Sequence, residues 1–169
     1  MLDPALPSFQ KVLEQRRHSG LDRFDEVWEG VLHMVPAPSH KHGKLEWQLP
    51  RLLGAAADAA ALEMTGQINL GESEQDFRVP DGALHRPGAG GVWHPTAAMV
   101  IEIVSPGDES WQKLPFYAQH RVDEVLIVDP AARTVHWLGL TDEGAYRELD
   151  RSGLLELGTA ELTAQIDWP

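Results

Sequence analysis

Cysteine is absent from the 169 residues. That excludes disulfides, thiolate metal sites and thiol nucleophiles. Positive charge is scarce: 14 Lys and Arg stand against 26 Asp and Glu, a net charge of −12. This balance repels nucleic acid at long range, so such a partner has to be held by a local basic patch or through a cation. Long apolar runs are missing as well. "MLDPALPSFQ" lacks the apolar core of a signal peptide, and "LLGAAADAAAL" is short and carries Asp58, so neither reads as a membrane segment. The expectation is a soluble, cytoplasmic chain with no membrane partner. No internal repeat, Walker motif, nucleophile elbow or dinucleotide glycine fingerprint occurs.

What is present is an ordinary globular composition, 43% apolar and 24% charged. The length suits a single domain, 1–169, with a real core. The pattern predicts a short amphipathic helix near 7–18 with Phe9, Val12 and Leu13 on one face. Two short strands meeting at Gly30 follow in "DEVWEGVLHMV". Ser39 is placed to cap a helix over about 41–61, with Leu45, Leu49, Leu52 and Leu53 as its buried stripe. Pro50 should kink or split that helix. Strands are expected near 62–70, 76–85 and 97–104, and "RPGAGGVWHP" reads as a surface loop. A helix near 110–120, the strand "EVLIV" and a closing meander of "RTVHWLGL", "AYREL" and "LLEL" complete the chain. This order predicts an α/β (α+β) domain, a mixed β-sheet flanked by helices.

One residue interrupts the pattern. "AMVIEIVS" reads as a buried strand, yet it holds Glu102. An unpaired buried carboxylate would cost several kcal/mol. Glu102 therefore reaches water at a strand end, pairs with a cation, or binds a metal beside other acids. Nearby segments bear on the choice. In "FRVPDGALH", Asp81 follows Pro80, which removes a ladder donor and marks an edge, a bulge or a strand end. After the Glu102 strand, Lys113 and Tyr117 stand four apart and share a helix face. Upstream, "DEVWEG" supplies Glu26 and Glu29. Two or three carboxylates with one lysine is equipment for phosphodiester hydrolysis with Mg²⁺ or Mn²⁺.

Bland readings stand beside these. An aspartate after proline is commonly a turn former, and a helix lysine is commonly solvated. His40 and His42 make an H-x-H pair, but no third ligand is spaced for zinc. Lys41 and Lys44 give a small basic cluster at a helix N-terminus, where backbone donors also favour anions.

The segments "EVWEG", "PAPSHKH", "RVPDGAL", "VIEIVSP" and "KLPFYAQHRVDEVLIVDP", in this order from about residue 24 to 130, resemble the Uma-type restriction endonuclease family of the PD-(D/E)XK nuclease superfamily. The resemblance implies a restriction-endonuclease-like fold, a divalent-metal site for Mg²⁺ or Mn²⁺, and DNA as the substrate. It implies Asp81 and Glu102 as metal ligands, with Ile103 lending its carbonyl, and Lys113 as the catalytic lysine. Glu26 matches the family's upstream acid, with Glu29 the nearby alternative, and His42 matches the histidine after the Pro-rich turn. The superfamily lysine would normally fall at Val104, so here it is displaced onto the helix. A homodimer would pair two active sites for cutting both strands. The alternative is a non-catalytic module of the same fold with a vestigial metal site.

Overall fold

The structure, a computed structural model, describes residues 7–107 and 109–169, with side chains from Gln10 onward. Ser39 begins the longest helix as expected: its hydroxyl accepts from the His42 backbone N–H at 3.2 Å, satisfying one orphan donor of the first turn. This helix, α2 (His40–Ala59), buries Leu45, Leu49 and Leu53. It continues unbroken through Pro50. Pro50 is exposed, so water can take the carbonyl that loses its donor. The first helix, α1 (Pro7–Ser19), lies where expected, but its expected apolar face is not buried as a whole. Val12 is 41% exposed, and Phe9 lies outside the described side chains. The helix is tied instead by Arg16, which pairs with buried Asp25 and donates to the Val35 carbonyl at 2.8 Å.

Eleven strands form two sheets among the described residues. They are β1 (Glu26–Trp28), β2 (Val31–His33), β3 (Glu63–Thr65), β4 (Asn69–Ser73), β5 (Asp76–Arg78), β6 (Gly82–His85), β7 (Trp93–His94), β8 (Met99–Ile103), β9 (Glu124–Asp129), β10 (Thr134–Leu140) and β11 (Tyr146–Leu149). One sheet runs β2-β1-β5-β4-β7, the other β11-β10-β9-β8-β6-β3. The single expected sheet is thus two. The segments read as strands over 62–70 and 76–85 each divide, β3 and β6 entering one sheet, β4 and β5 the other. In the second segment the break falls at Val79-Pro80-Asp81, where proline cannot donate to a ladder. The supposed loop over 86–95 contains β7, which pairs in parallel with β4.

The hairpin β1–β2 turns on Glu29 (φ 49°) and Gly30 (φ 81°), the positive-φ pair that a type I′ loop requires. β8 lies between β6, antiparallel, and β9, parallel. Its side chains alternate. Met99, Ile101 and Ile103 pack with Leu45, Leu49 and Leu53 of α2, while Val100 packs with Phe116 and Tyr117 of α3 (Leu114–Gln119). Each fully buried aliphatic side chain contributes about 1.5–3 kcal/mol by leaving water. The helix expected over 110–120 is a 3₁₀ turn, Ser110–Lys113, followed by α3. Pro115 sits in the first turn of α3, where its missing N–H costs nothing.

The closing segment also differs. "LLEL" forms no strand. Buried Glu124 gathers the loop instead, accepting from Ser152 Oγ at 2.6 Å, Gly153 N at 2.7 Å and Leu154 N at 3.1 Å. A helix the sequence pattern did not disclose, α4 (Thr159–Gln165), packs Leu162 into the core. No helix among the described residues is long and apolar enough to cross a membrane.

Candidate active site

The alternation of β8 decides where Glu102 points. It shares a face with Val100, the face covered by α3. Lys113, at the junction of the 3₁₀ turn and α3, extends its ammonium to 3.0 and 3.1 Å from the two Glu102 oxygens. Tyr117, fully buried one turn on, donates its hydroxyl to Glu102 Oε1. Glu102 is 2% exposed. So the carboxylate in the strand is paired, and it stands among other acids.

Glu26, also 2% exposed, comes from the hairpin of the other sheet. Its Oε1 lies 2.9 Å from Lys113 Nζ and accepts the Val79 backbone N–H at 2.7 Å. Its Oε2 accepts the Trp28 indole N–H at 2.7 Å. Asp81 occupies the break between β5 and β6. One oxygen accepts the Ile103 N–H at 2.7 Å; the other lies 3.0 Å from His42 Nε2. His42 Nδ1 in turn meets Ser105 Oγ at 3.1 Å. The N-terminal turn of α2 thereby braces the aspartate from the opposite side of the sheet.

Glu26, Asp81, Glu102, Ile103, Lys113 and His42 all line one cavity of about 410 Å³. Three carboxylates face one ammonium there. Burial raises the Glu102 carboxyl to about 8; Lys113 pulls it down, while Asp81 and Glu26 push it further up. Burial works against the Lys113 ammonium too, but Glu102 and Glu26 outweigh it and hold the lysine charged above its ordinary range. The Tyr117 phenol is raised by burial and then by the charge of Glu102, which keeps it a donor. His42 loses basicity by burial, yet its bond to Asp81 leaves it raised on balance.

The structure therefore brings together Glu26, Asp81, Glu102, Ile103, Lys113, Tyr117 and His42. It does not bring Glu29. That residue is exposed in the hairpin turn, with its backbone N–H on Asp76 Oδ1 at 3.1 Å, because a turn residue of a two-residue hairpin points away from the sheet. His40 is exposed and outside the cavity. Lys44 is engaged with Asp167 at 2.7 Å. Among the described residues no group of three or more His, Asp or Glu side chains is gathered as a ready metal cage.

Two contributors were missed in the sequence. Trp28 stacks on the His33 ring, 4.3 Å away and nearly parallel, and the guanidinium of Arg78 lies over the indole, also at 4.3 Å. The stack fixes the indole that holds Glu26. Ser105 supports His42. Strand alternation on "EVWEG" put Trp28 and Glu26 on one face, which was the available hint.

A fold of two mixed sheets with helices, and an acid–lysine cluster at the split between β5 and β6, define a nuclease-like fold. The family described as "Putative restriction endonuclease", Uma2, matches residues 13–168, and the chain belongs to that family. Among solved structures, it is similar to a protein of Anabaena variabilis described as "a putative nuclease belonging to DUF820". The TM-score is 0.65 at 16% identity, over 83% of this chain and 90% of that one. No curated protein matches the sequence.

Proposed function

We propose that this protein is a divalent-metal-dependent nuclease that hydrolyses phosphodiester bonds of DNA. The observation that carries the reading is the convergence of Glu26, Asp81, Glu102 and Lys113 on one cavity. Family membership supports it. A cation fits the donors in kind. Asp81, Glu102 and Ile103 line the cavity, carboxyl and carbonyl oxygens are hard donors, and the carboxyl groups outnumber the single ammonium. When bound, Mg²⁺ or Mn²⁺ would acidify a water and neutralise charge on the scissile phosphate.

The chain's own residues have separate tasks. Asp81, fixed by His42 and the Ile103 N–H, presents a carboxylate in one orientation. Lys113 is kept cationic by Glu26 and Glu102, so it serves as a hydrogen-bond donor rather than a base. It orients the attacking water or stabilises the charge that grows on the phosphate oxygens. Glu26 and Tyr117 hold that lysine and Glu102 in place.

The test is nicking of supercoiled plasmid with Mg²⁺ or Mn²⁺, comparing wild type with Asp81→Asn. Activity in wild type alone is the expected result. Equal rates, or none, would favour a second reading, a binding module of nuclease fold. One observation speaks for that module: no ready metal cage exists among the described residues, and Lys113 already binds both glutamates.

A further inference from the structure

The acid–lysine cluster is only part of the lining of its cavity. Phe24, Met34, Val35, Pro36, Pro38 and Pro106 form much of the rest. Phosphate chemistry alone gives no reason for such an apolar wall, whereas a base or a sugar face does. The cavity volume, about 410 Å³, lies in the range of about 300–1,000 Å³ that takes a small molecule. Glu26 and Glu102 are each 2% exposed, so the reacting groups lie below the surface. A duplex is stiff over about 50 nm and does not readily bend into a recess.

Charge points the same way. Gripping a duplex takes contacts to several phosphates along both strands. The protein carries −12 overall, and basic side chains around the cavity are engaged in ion pairs. Lys113 is with Glu26 and Glu102, Arg16 with Asp25, Lys44 with Asp167, and only Lys41 beside His42 stays an exposed lysine there. Among the described residues the lining itself carries no basic stripe, its lysine and histidine side chains being Lys113, His33 and His42.

We infer that this site takes an unpaired nucleotide of a single-stranded or locally melted nucleic acid, its phosphodiester against the acid–lysine cluster and its base or sugar against the apolar wall. The inference rests on the nuclease reading and names its substrate class. Met34, 42% exposed and on the cavity lining, forms the rim that an entering base crosses.

Fluorescence anisotropy of short labelled oligonucleotides tests it, using the full chain with Ca²⁺ as an oxygen-seeking cation. Single strands should bind at least roughly tenfold more tightly than the blunt duplex of the same sequence. Met34→Asp should weaken single-strand binding by about tenfold, with an unchanged thermal midpoint. Duplex binding equal to or tighter than single-strand binding overturns the inference, as does a Met34→Asp variant that binds like wild type. Hydrolysis of a small phosphodiester, bis-p-nitrophenyl phosphate, is followed in parallel with Mn²⁺ in place of Ca²⁺. Hydrolysis without a single-strand preference overturns the substrate class and leaves the nuclease reading. A preference without hydrolysis supports the nucleotide cavity and removes the nuclease reading.

Discussion

Lys113 Nζ lies 2.9 Å from Glu26 Oε1 and joins a hairpin of one sheet to the helix that covers the other. The same ammonium holds both Glu102 oxygens. One cation thus stands where three acids would otherwise repel each other, and a bound metal would share its carboxylates.

Lys113→Met should abolish metal-dependent nicking while Mn²⁺ affinity stays equal or rises, because the ammonium competes for the same oxygens. Without metal the variant leaves buried carboxylates without their cation, a loss on the order of 3 kcal/mol. Saturating Mn²⁺ should restore much of it by ligand linkage. Plasmid nicking, metal titration and denaturant melts with and without Mn²⁺ check the three parts. Nicking at the wild-type rate would remove Lys113 from the chemistry.

Glu102→Gln should behave differently. Lys113 retains Glu26, so no charge is stranded, and at pH 5, where Glu102 holds its proton, stability without metal should change by less than about 1 kcal/mol. Metal binding should be lost. A destabilisation of several kcal/mol in metal-free buffer would make Glu102 a structural half of the ion pair.

Stability without metal should depend on pH through the same carboxyl. Burial raises Glu102 from its ordinary value to about 8. The folded state therefore binds this proton more tightly than the unfolded one. The contribution is complete below about 4.5 and is lost as pH rises through 8. His42, raised on balance by Asp81 against its burial, acts in the same direction above neutral unfolded-state titration. Thermal midpoints of the metal-free protein should fall from pH 5 to 8.5, and Glu102→Gln should flatten the slope. Mn²⁺ has to displace the proton, so its stabilising effect should grow over the same interval. A midpoint that rises with pH, unaltered by Glu102→Gln, would contradict this assignment.

His42 is the brace of Asp81 rather than a ligand in this arrangement. His42→Ala should weaken Mn²⁺ binding by about tenfold or more, as removal of an orienting partner commonly does. Isothermal titration beside Asp81→Asn gives the comparison. Unchanged affinity would show that the Ile103 N–H alone orients Asp81.

Arg16 anchors the chain that builds the apolar wall. It pairs with Asp25 and donates to the Val35 carbonyl at 2.8 Å, while Asp25 accepts the Val35 N–H at 3.0 Å. Arg16→Met should cost on the order of 3 kcal/mol, since Asp25 stays buried without its cation. Urea denaturation measures it, and a loss below about 1 kcal/mol would make α1 dispensable to that wall.

The sequence by itself determined the elements whose signals are local. Ser39 before an apolar stripe announced α2, and positive-φ chemistry at Gly30 announced the hairpin. A lone acid in an apolar strand marked Glu102, and the ordered motifs carried the family. Strand alternation also bound Glu102 to the face of Val100. Tertiary structure alone decided what lay opposite that face. It divided two apparent strands between two sheets, because a chain can change sheet wherever a ladder donor is missing, as at Pro80. It turned "LLEL" into a loop, because Glu124 offers its backbone N–H groups a buried acceptor. It carried Glu26, the acid the ordered motifs already favoured, into contact with Lys113 and left Glu29 exposed in the hairpin turn. It set Trp28 between His33 and Arg78, a stack whose members are far apart in the chain. Contacts of that kind depend on how sheets and helices meet, which no local pattern of residues encodes.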